Sequence, residues 1–256
     1  NTLETVARTD KKNYSDAEGL YDVQWNSGQK FDMYSTSLSG HLKGLIDIRD
    51  GNNGEHENIE TDDDGNNVTD SDGNLVLTTA PAADKTVSYK GVPYYQAQLN
   101  EFAKIFSDAV NKIMKSGYTS DGSSKGISLF VTQPNTTVMS AGNITVNPEL
   151  LKNADLLAIK KEQNDGESDA KIMEELNKLQ SEKIFAGGTG SYFLESIVSD
   201  MSIDSQKAVN LYKNYTDLKT SIHNQRLSIM GVDTDEEAMD MIKYQQAYNL
   251  NSKMMS

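Results

Sequence analysis

"SYFLESIVSDMSIDSQKAVNLYKNYTDLKTSIHNQRLSI", Ser191–Ile229, contains neither Pro nor Gly. Leu194, Val198, Met201, Ser205, Ala208, Tyr212, Tyr215, Lys219 and Ile222 follow one another at steps of four and three, the rhythm of a coiled-coil seam. The spacing predicts a single helix, about 58 Å long at 1.5 Å per residue. Ser205, Ala208 and Lys219 weaken the seam, so the expected object is a packed rod with polar notches. "AGGTGS" (Ala186–Ser191) precedes it and reads as a hinge. Its Gly187–Gly190 run lacks the following Lys-Ser/Thr of a phosphate loop.

Downstream, Met230-Gly231 marks a helix break, and the chain closes on "GVDTDEEAMDMIKYQQAYNLNSKMMS" (Gly231–Ser256). Thr234 and Glu237 are spaced as a capping box. Ala238, Met241, Gln245, Tyr248, Ser252 and Met255 then continue the four-three rhythm as an amphipathic helix. No Gly or Pro stop signal follows Ala238. That missing stop predicts either a stretch that frays into solvent or a chain cut inside a longer element, and a first residue Asn1 that is not Met points to the cut.

Upstream, "VPYYQAQLNEFAKIFSDAVNKIMKSGY" (Val92–Tyr118) predicts another helix. Its seam runs through Tyr95, Leu99, Phe102, Phe106, Ala109 and Ile113, with Pro93 near the start and Gly117 at the end. A shorter helix carries Leu38, Leu42, Leu45 and Ile46 and stops near "RDGNNG" (Arg49–Gly54). "ESDAKIMEELNKLQSEKIF" (Glu167–Phe185) gives a further amphipathic helix through Ile172, Leu176 and Leu179. Residues 1–35 read as short strands and loops, and 119–147 as two or three strands. Between Gly51 and Asp84 there is no Lys or Arg, and "TDDDGNNVTDSDGN" (Thr61–Asn74) is nearly all Asp, Asn and Gly. Such a run buries no apolar surface and reads as a loop or hairpin tip, with "NLVLTT" (Asn74–Thr79) returning as a strand.

The expected fold class is α+β: a long, coiled-coil-like helical rod bracketing small β-rich modules in an elongated molecule. The expected divisions are a β-rich segment 1–37, a helical rod segment 38–118 with the acidic insertion at about 51–90, a small β-rich module 119–166, a long-helix rod segment 167–230, and a truncated terminal helix 231–256. Rod packing is expected from Leu194, Val198, Met201, Tyr212, Tyr215, Leu99, Phe102 and Phe106.

Composition narrows the function. Apolar residues make up 36% of the 256-residue chain, a low share that suits an elongated architecture. A formal charge of −14 opposes a nucleic-acid partner, whose phosphates demand the other sign. No window approaches ~20 consecutive apolar residues, so no membrane insertion is expected. With no Cys, disulfides and thiolate metal sites are excluded.

Catalytic patterns are sparse. Of the three His, His56 in "GEHENIE" lacks the second His of a zincin, and His41 and His223 sit among polar residues on predicted helices. No G-x-S-x-G elbow occurs. Glu60, Asp62, Asp64 and Gly65 echo the start of a calcium loop, but its twelfth position is Ser71, which cannot supply the bidentate carboxylate. A solvated acidic turn is the better reading, and neither an enzyme nor a cofactor is expected.

The closing stretch resembles the C-terminal signature of axial flagellar proteins (rod, hook and hook-associated proteins), through Gly231, Val232, Asp235, Glu236, Glu237, Ile242, Gln245, Ala247 and Tyr248. "LSGHLKGLIDIRDG" (Leu38–Gly51), "YYQAQLNEFAKIFSDAVNKI" (Tyr94–Ile113) and "GYTSDG" (Gly117–Gly122) are similar to segments of the hook-associated, hook–filament junction branch. Met239, Met241 and Lys243 depart from the signature, and the acidic stretch Gly54–Lys90 interrupts what many relatives carry as a helix. The resemblance implies a non-catalytic, self-assembling structural subunit of the bacterial flagellum, serving motility. It implies terminal helices that fold on assembly, with Met241, Ile242, Tyr244, Gln245, Tyr248 and Met255 at a subunit or chaperone interface. Implied partners are further copies in a ring, hook protein, the next junction protein (hook-associated protein 3) and a flagellar export chaperone. Implied localisation is extracellular, by the flagellar type III route without a cleaved signal peptide. Hook protein or another axial subunit is the nearer alternative, and a calcium-binding or carboxylate enzyme the more distant one.

Overall fold

The computed structural model describes residues 2–81, 84–166, 169–231 and 233–255, and divides into two units, 1–197 and 198–256. The chain is α+β. Its strands pair two by two, in four separate antiparallel ribbons.

The organiser of the first unit is α2, Val92–Ser116. The sequence seam lies beside its most buried face, not on it. Ala103, Val110 and Met114 are buried together with the polar Asn100, Ser107 and Asn111, while Leu99 is exposed. Burying amides here follows from what the helix packs against: loops and ribbon edges whose backbone groups need partners. Asn100 Oδ1 accepts from the Ala141 N–H (3.1 Å), and Gln96 Nε2 donates to the Ser15 carbonyl (3.0 Å).

Around the C-terminal half of α2 lie β5 (Tyr118–Thr119) paired with β8 (Ala158–Lys160), and β6 (Phe130–Thr132) paired with β7 (Ile144–Val146). Short α3 (Pro148–Lys152) connects these pairs, and Asn147 Oδ1 caps it by accepting from Glu149 N. The helix expected over Glu167–Phe185 is shorter, α4, Lys171–Lys178. Glu167 and Ser168 lie outside the described residues. Val110, Met114, Ala158, Ile172 and Leu179 form the apolar core, flanked by Phe106, Ile113, Leu129 and Phe130.

Near the N-terminus, β1 (Leu3–Ala7) pairs with β2 (Tyr21–Trp25), and α1 spans His41–Asp50. Leu42 and Leu45, placed on a packing face by their spacing, are exposed on α1. An ionic knot holds these elements instead. Asp50 accepts from Arg8 (3.1 and 3.0 Å), from the Tyr34 hydroxyl (2.7 Å) and from Arg49 (3.1 and 2.5 Å), and Arg8 also donates to Asp22. Burial alone pushes the Asp50 carboxyl up, but the hydrogen bonds from Arg49, Arg8 and Tyr34 outweigh it and hold it down to about 2. Burial and the bond to Asp50 push the Tyr34 phenol well above its ordinary range.

The chain crosses itself where α1 ends and α2 begins. Gly91 N donates to Gly51 O (3.0 Å). A side chain on Gly51 would stand 2.6 Å from the Tyr89 carbonyl and 2.7 Å from Gly91 N. These glycines are needed for close approach, whereas the spacing of "RDGNNG" reads only as a turn.

The acidic tract is ordered. β3 (His56–Ile59) pairs with β4 (Leu77–Ala80), and the intervening residues repeat an octapeptide, "TDDDGNNV" then "TDSDGNLV" (Thr61–Val76). Each copy makes the same turn. Asp62 Oδ1 accepts from Asp64 N and Asn66 N, and Asp70 Oδ1 from Asp72 N and Asn74 N. Gly65 and Gly73 take φ +83° and +84°, which favours Gly. Glu60, Val68 and Val76, eight residues apart, close a ring of backbone bonds: Val68 N to Glu60 O (2.9 Å), Val76 N to Val68 O (3.0 Å), Glu60 N to Val76 O (2.8 Å). Asp62 spends its carboxylate on the turn, and the Asn66 backbone bond leads the effects that hold it below its ordinary range. An ion pair between Lys115 and Asp72 ties the second turn to α2.

Candidate assembly surface

α5, Gly190–Met230, is the long helix that the Ser191–Ile229 spacing predicts. Its first turns are fixed by aromatic packing in the first unit. Phe102 stacks on Phe106 (5.9 Å), Phe185 (5.0 Å) and Phe193 (6.3 Å), Phe185 on Phe193 (5.0 Å), and Phe106 leans on Phe130 (5.8 Å). Five of the chain's six phenylalanines meet there, from α2, β6, the linking turn and α5. Of the residues expected to pack the rod, Phe102 and Phe106 join this cluster. Leu99, Leu194, Val198, Met201, Tyr212 and Tyr215 are exposed. Phe193 is the one buried residue among those described in α5. Beyond Phe193 the seam residues of α5 are thus exposed among the described residues.

α6, Thr234–Met255, begins where the signature places it, but a different residue caps it. Asp233 precedes the first helical residue, and its Oδ1 accepts from Asp235 N (3.0 Å) and Glu236 N (3.4 Å). Thr234 is already helical, so the Thr234–Glu237 capping box is displaced by an Asp cap one residue earlier. Asp235, Glu236 and Glu237 in the first turn and Lys253 in the last complement the helix dipole. Val232 and Ser256 lie outside the described residues.

Every expected interface residue of α6 is exposed: Met241, Ile242, Tyr244 (75%), Gln245, Tyr248 and Met255 (86%). At about 100° per residue, Met241, Tyr244, Tyr248 and Met255 share one stripe. Met239, Leu250 and Met254 fall on the opposite side, and are exposed as well. The helix is therefore apolar on two faces rather than amphipathic, a pattern that suits burial from more than one direction. In proteins most helical stability comes from packing an apolar face rather than from propensity.

Sequence reasoning missed Phe130, Phe185 and Phe193, whose meeting depends on the linking turn at Gly187–Gly190, and the Asp233 cap. A signal existed for the cap, since Asp is as good an N-cap as Thr.

Residues 223–256 match the family described as Flagellar basal body rod FlgEFG protein C-terminal. The match covers the end of α5 and all of α6. It supports a structural protein of the flagellar axial, rod type. No curated protein matches the chain. No helix among the described residues is long and apolar enough to cross a membrane.

Proposed function

We propose that the chain is a structural subunit of the flagellar axis, and within that class the hook–filament junction protein, hook-associated protein 1. The observation that carries the axial reading is α6: a capped helix with apolar residues on two faces, none of them buried, inside the segment matching the flagellar family. Removing such faces from water, at about 25 cal/mol per Å², drives assembly with further copies. The narrower reading is supported by "LKGLIDIRDG" (Leu42–Gly51) and the Val92–Ser116 helix, which accompany the closing signature in the expected order. Hook protein, hook-associated protein 3 and an export chaperone acting on α6 are the partners of this reading, with delivery through the flagellar export channel.

A rod or hook subunit is the second reading, favoured by the description of the matching family. Deleting the gene in its own bacterium separates the two. A junction subunit leaves hooks without filaments, whereas a rod subunit leaves no hook. For the assembly role, circular dichroism and sedimentation compare the chain with a variant ending at Ile229, each with and without a peptide of an axial protein's N-terminal helix. Helicity gained by the full chain alone supports the proposal. A variant that unfolds without 230–256 makes α6 a core element and overturns it.

A further inference from the structure

Between the β3–β4 ribbon and the N-terminal half of α2 lies a cavity of about 400 Å³. Its lining residues all belong to the first unit. Two of its lining side chains are in an unusual state. His56 on β3 is 8% exposed and Asn100 on α2 is 6% exposed, and among the described residues His56 Nδ1 and Asn100 Nδ2 have no hydrogen-bond partner. Buried polar nitrogens are nearly always paired. Asn100 cannot escape by flipping its amide, because Oδ1 is committed to the Ala141 N–H.

The lining defines what would satisfy them. Asn100 Nδ2 can only donate, so it requires an acceptor oxygen; a neutral His56 Nδ1 donates or accepts. Glu55, Glu57 and Glu101 line the cavity, and among the described residues Lys104 is its one lining Lys or Arg, which disfavours an anionic ligand. Glu57 already accepts from the Ser15 hydroxyl. Tyr94, Pro93, Leu77 and Met139 supply apolar wall. A neutral molecule bearing several hydroxyls and one apolar face matches this set, because each hydroxyl both donates and accepts. We infer that the cavity between β3–β4 and α2 is a binding site for a neutral sugar, with Asn100 and His56 as its buried polar contacts and Tyr94 as the wall for the ring. The volume lies within the range of small-molecule sites and accommodates one or two hexose units.

The test is a titration of the whole chain with D-glucose, D-galactose and N-acetylglucosamine, followed by ¹H–¹⁵N NMR. At least one sugar is expected to saturate in the millimolar range while shifting the Asn100 side-chain amide pair. Asn100→Asp keeps the acceptor that Ala141 uses and removes the donor, and is expected to weaken binding about tenfold. Tyr94→Ala, at a half-buried position, is expected to weaken it similarly with an unchanged fold, and serves should Asn100→Asp not fold. Absence of response to all three sugars overturns the proposal, as does a response untouched by Tyr94→Ala. Long-lived water contacts to the Asn100 amide without a sugar response make the site a buried hydration site, and also overturn it.

Discussion

Asn111 pairs with the backbone of Phe130 as a neighbouring strand would: its Nδ2 donates to Phe130 O at 2.8 Å and its Oδ1 accepts from Phe130 N at 2.9 Å. A helix side chain thereby closes the free edge of β6 and places the Phe130 ring against Phe106. Asn111→Ala leaves both backbone groups unpaired, and is expected to cost about 2–4 kcal/mol in denaturant unfolding. Asn111→Asp, which keeps the acceptor, is expected to cost less once the carboxyl is protonated.

The Asp50 knot sets an acid limit. The folded carboxyl is held at about 2, below the ordinary value of 3.8. Its contribution is therefore fully present above about 3.8 and is lost as pH falls toward about 2. Thermal melts between pH 5 and pH 2 are expected to show this decline, and Asp50→Asn to flatten it. At neutral pH that variant leaves Arg8 with Asp22 (2.7 Å) and the Tyr34 hydroxyl (3.2 Å) and weakens its bonds to position 50, a loss of about 1.5–3 kcal/mol.

Gly51→Ala is expected to destabilise the first unit by about 1–3 kcal/mol, the usual cost of overpacking. The added methyl meets backbone carbonyls that cannot rotate away. Gly44→Ala, inside α1 and with nothing within 4 Å, is the control and is expected to be neutral or stabilising. Equal unfolding midpoints for the two would show that the crossing of α1 and α2 has slack.

Asp233→Ala removes the α6 cap. About 1 kcal/mol of helix stability should go with it, read as lower helicity in α6 by NMR chemical shifts while the first unit is unchanged. Thr234→Ala should have little effect, the reverse of what the capping-box spacing implies.

Periodicity by itself placed the helices found at Val92–Ser116, Gly190–Met230 and Thr234–Met255, because a helix repeats every 3.6 residues and apolar residues spaced at that repeat share a face whether or not it is covered. Composition marked the acidic tract as coreless. Tertiary structure decided the rest. Which face of α2 is buried depended on the carbonyls and N–H groups of Phe130 and Ala141, reached from chain 19 and 41 residues away, and hydropathy carries no record of them. The need for glycine at 51 and 91 came from two backbones meeting across the fold. Whether Val198, Met201, Tyr212 and Tyr215 pack or stay open could not be read from a seam, since a seam states that a helix can be covered and not what covers it.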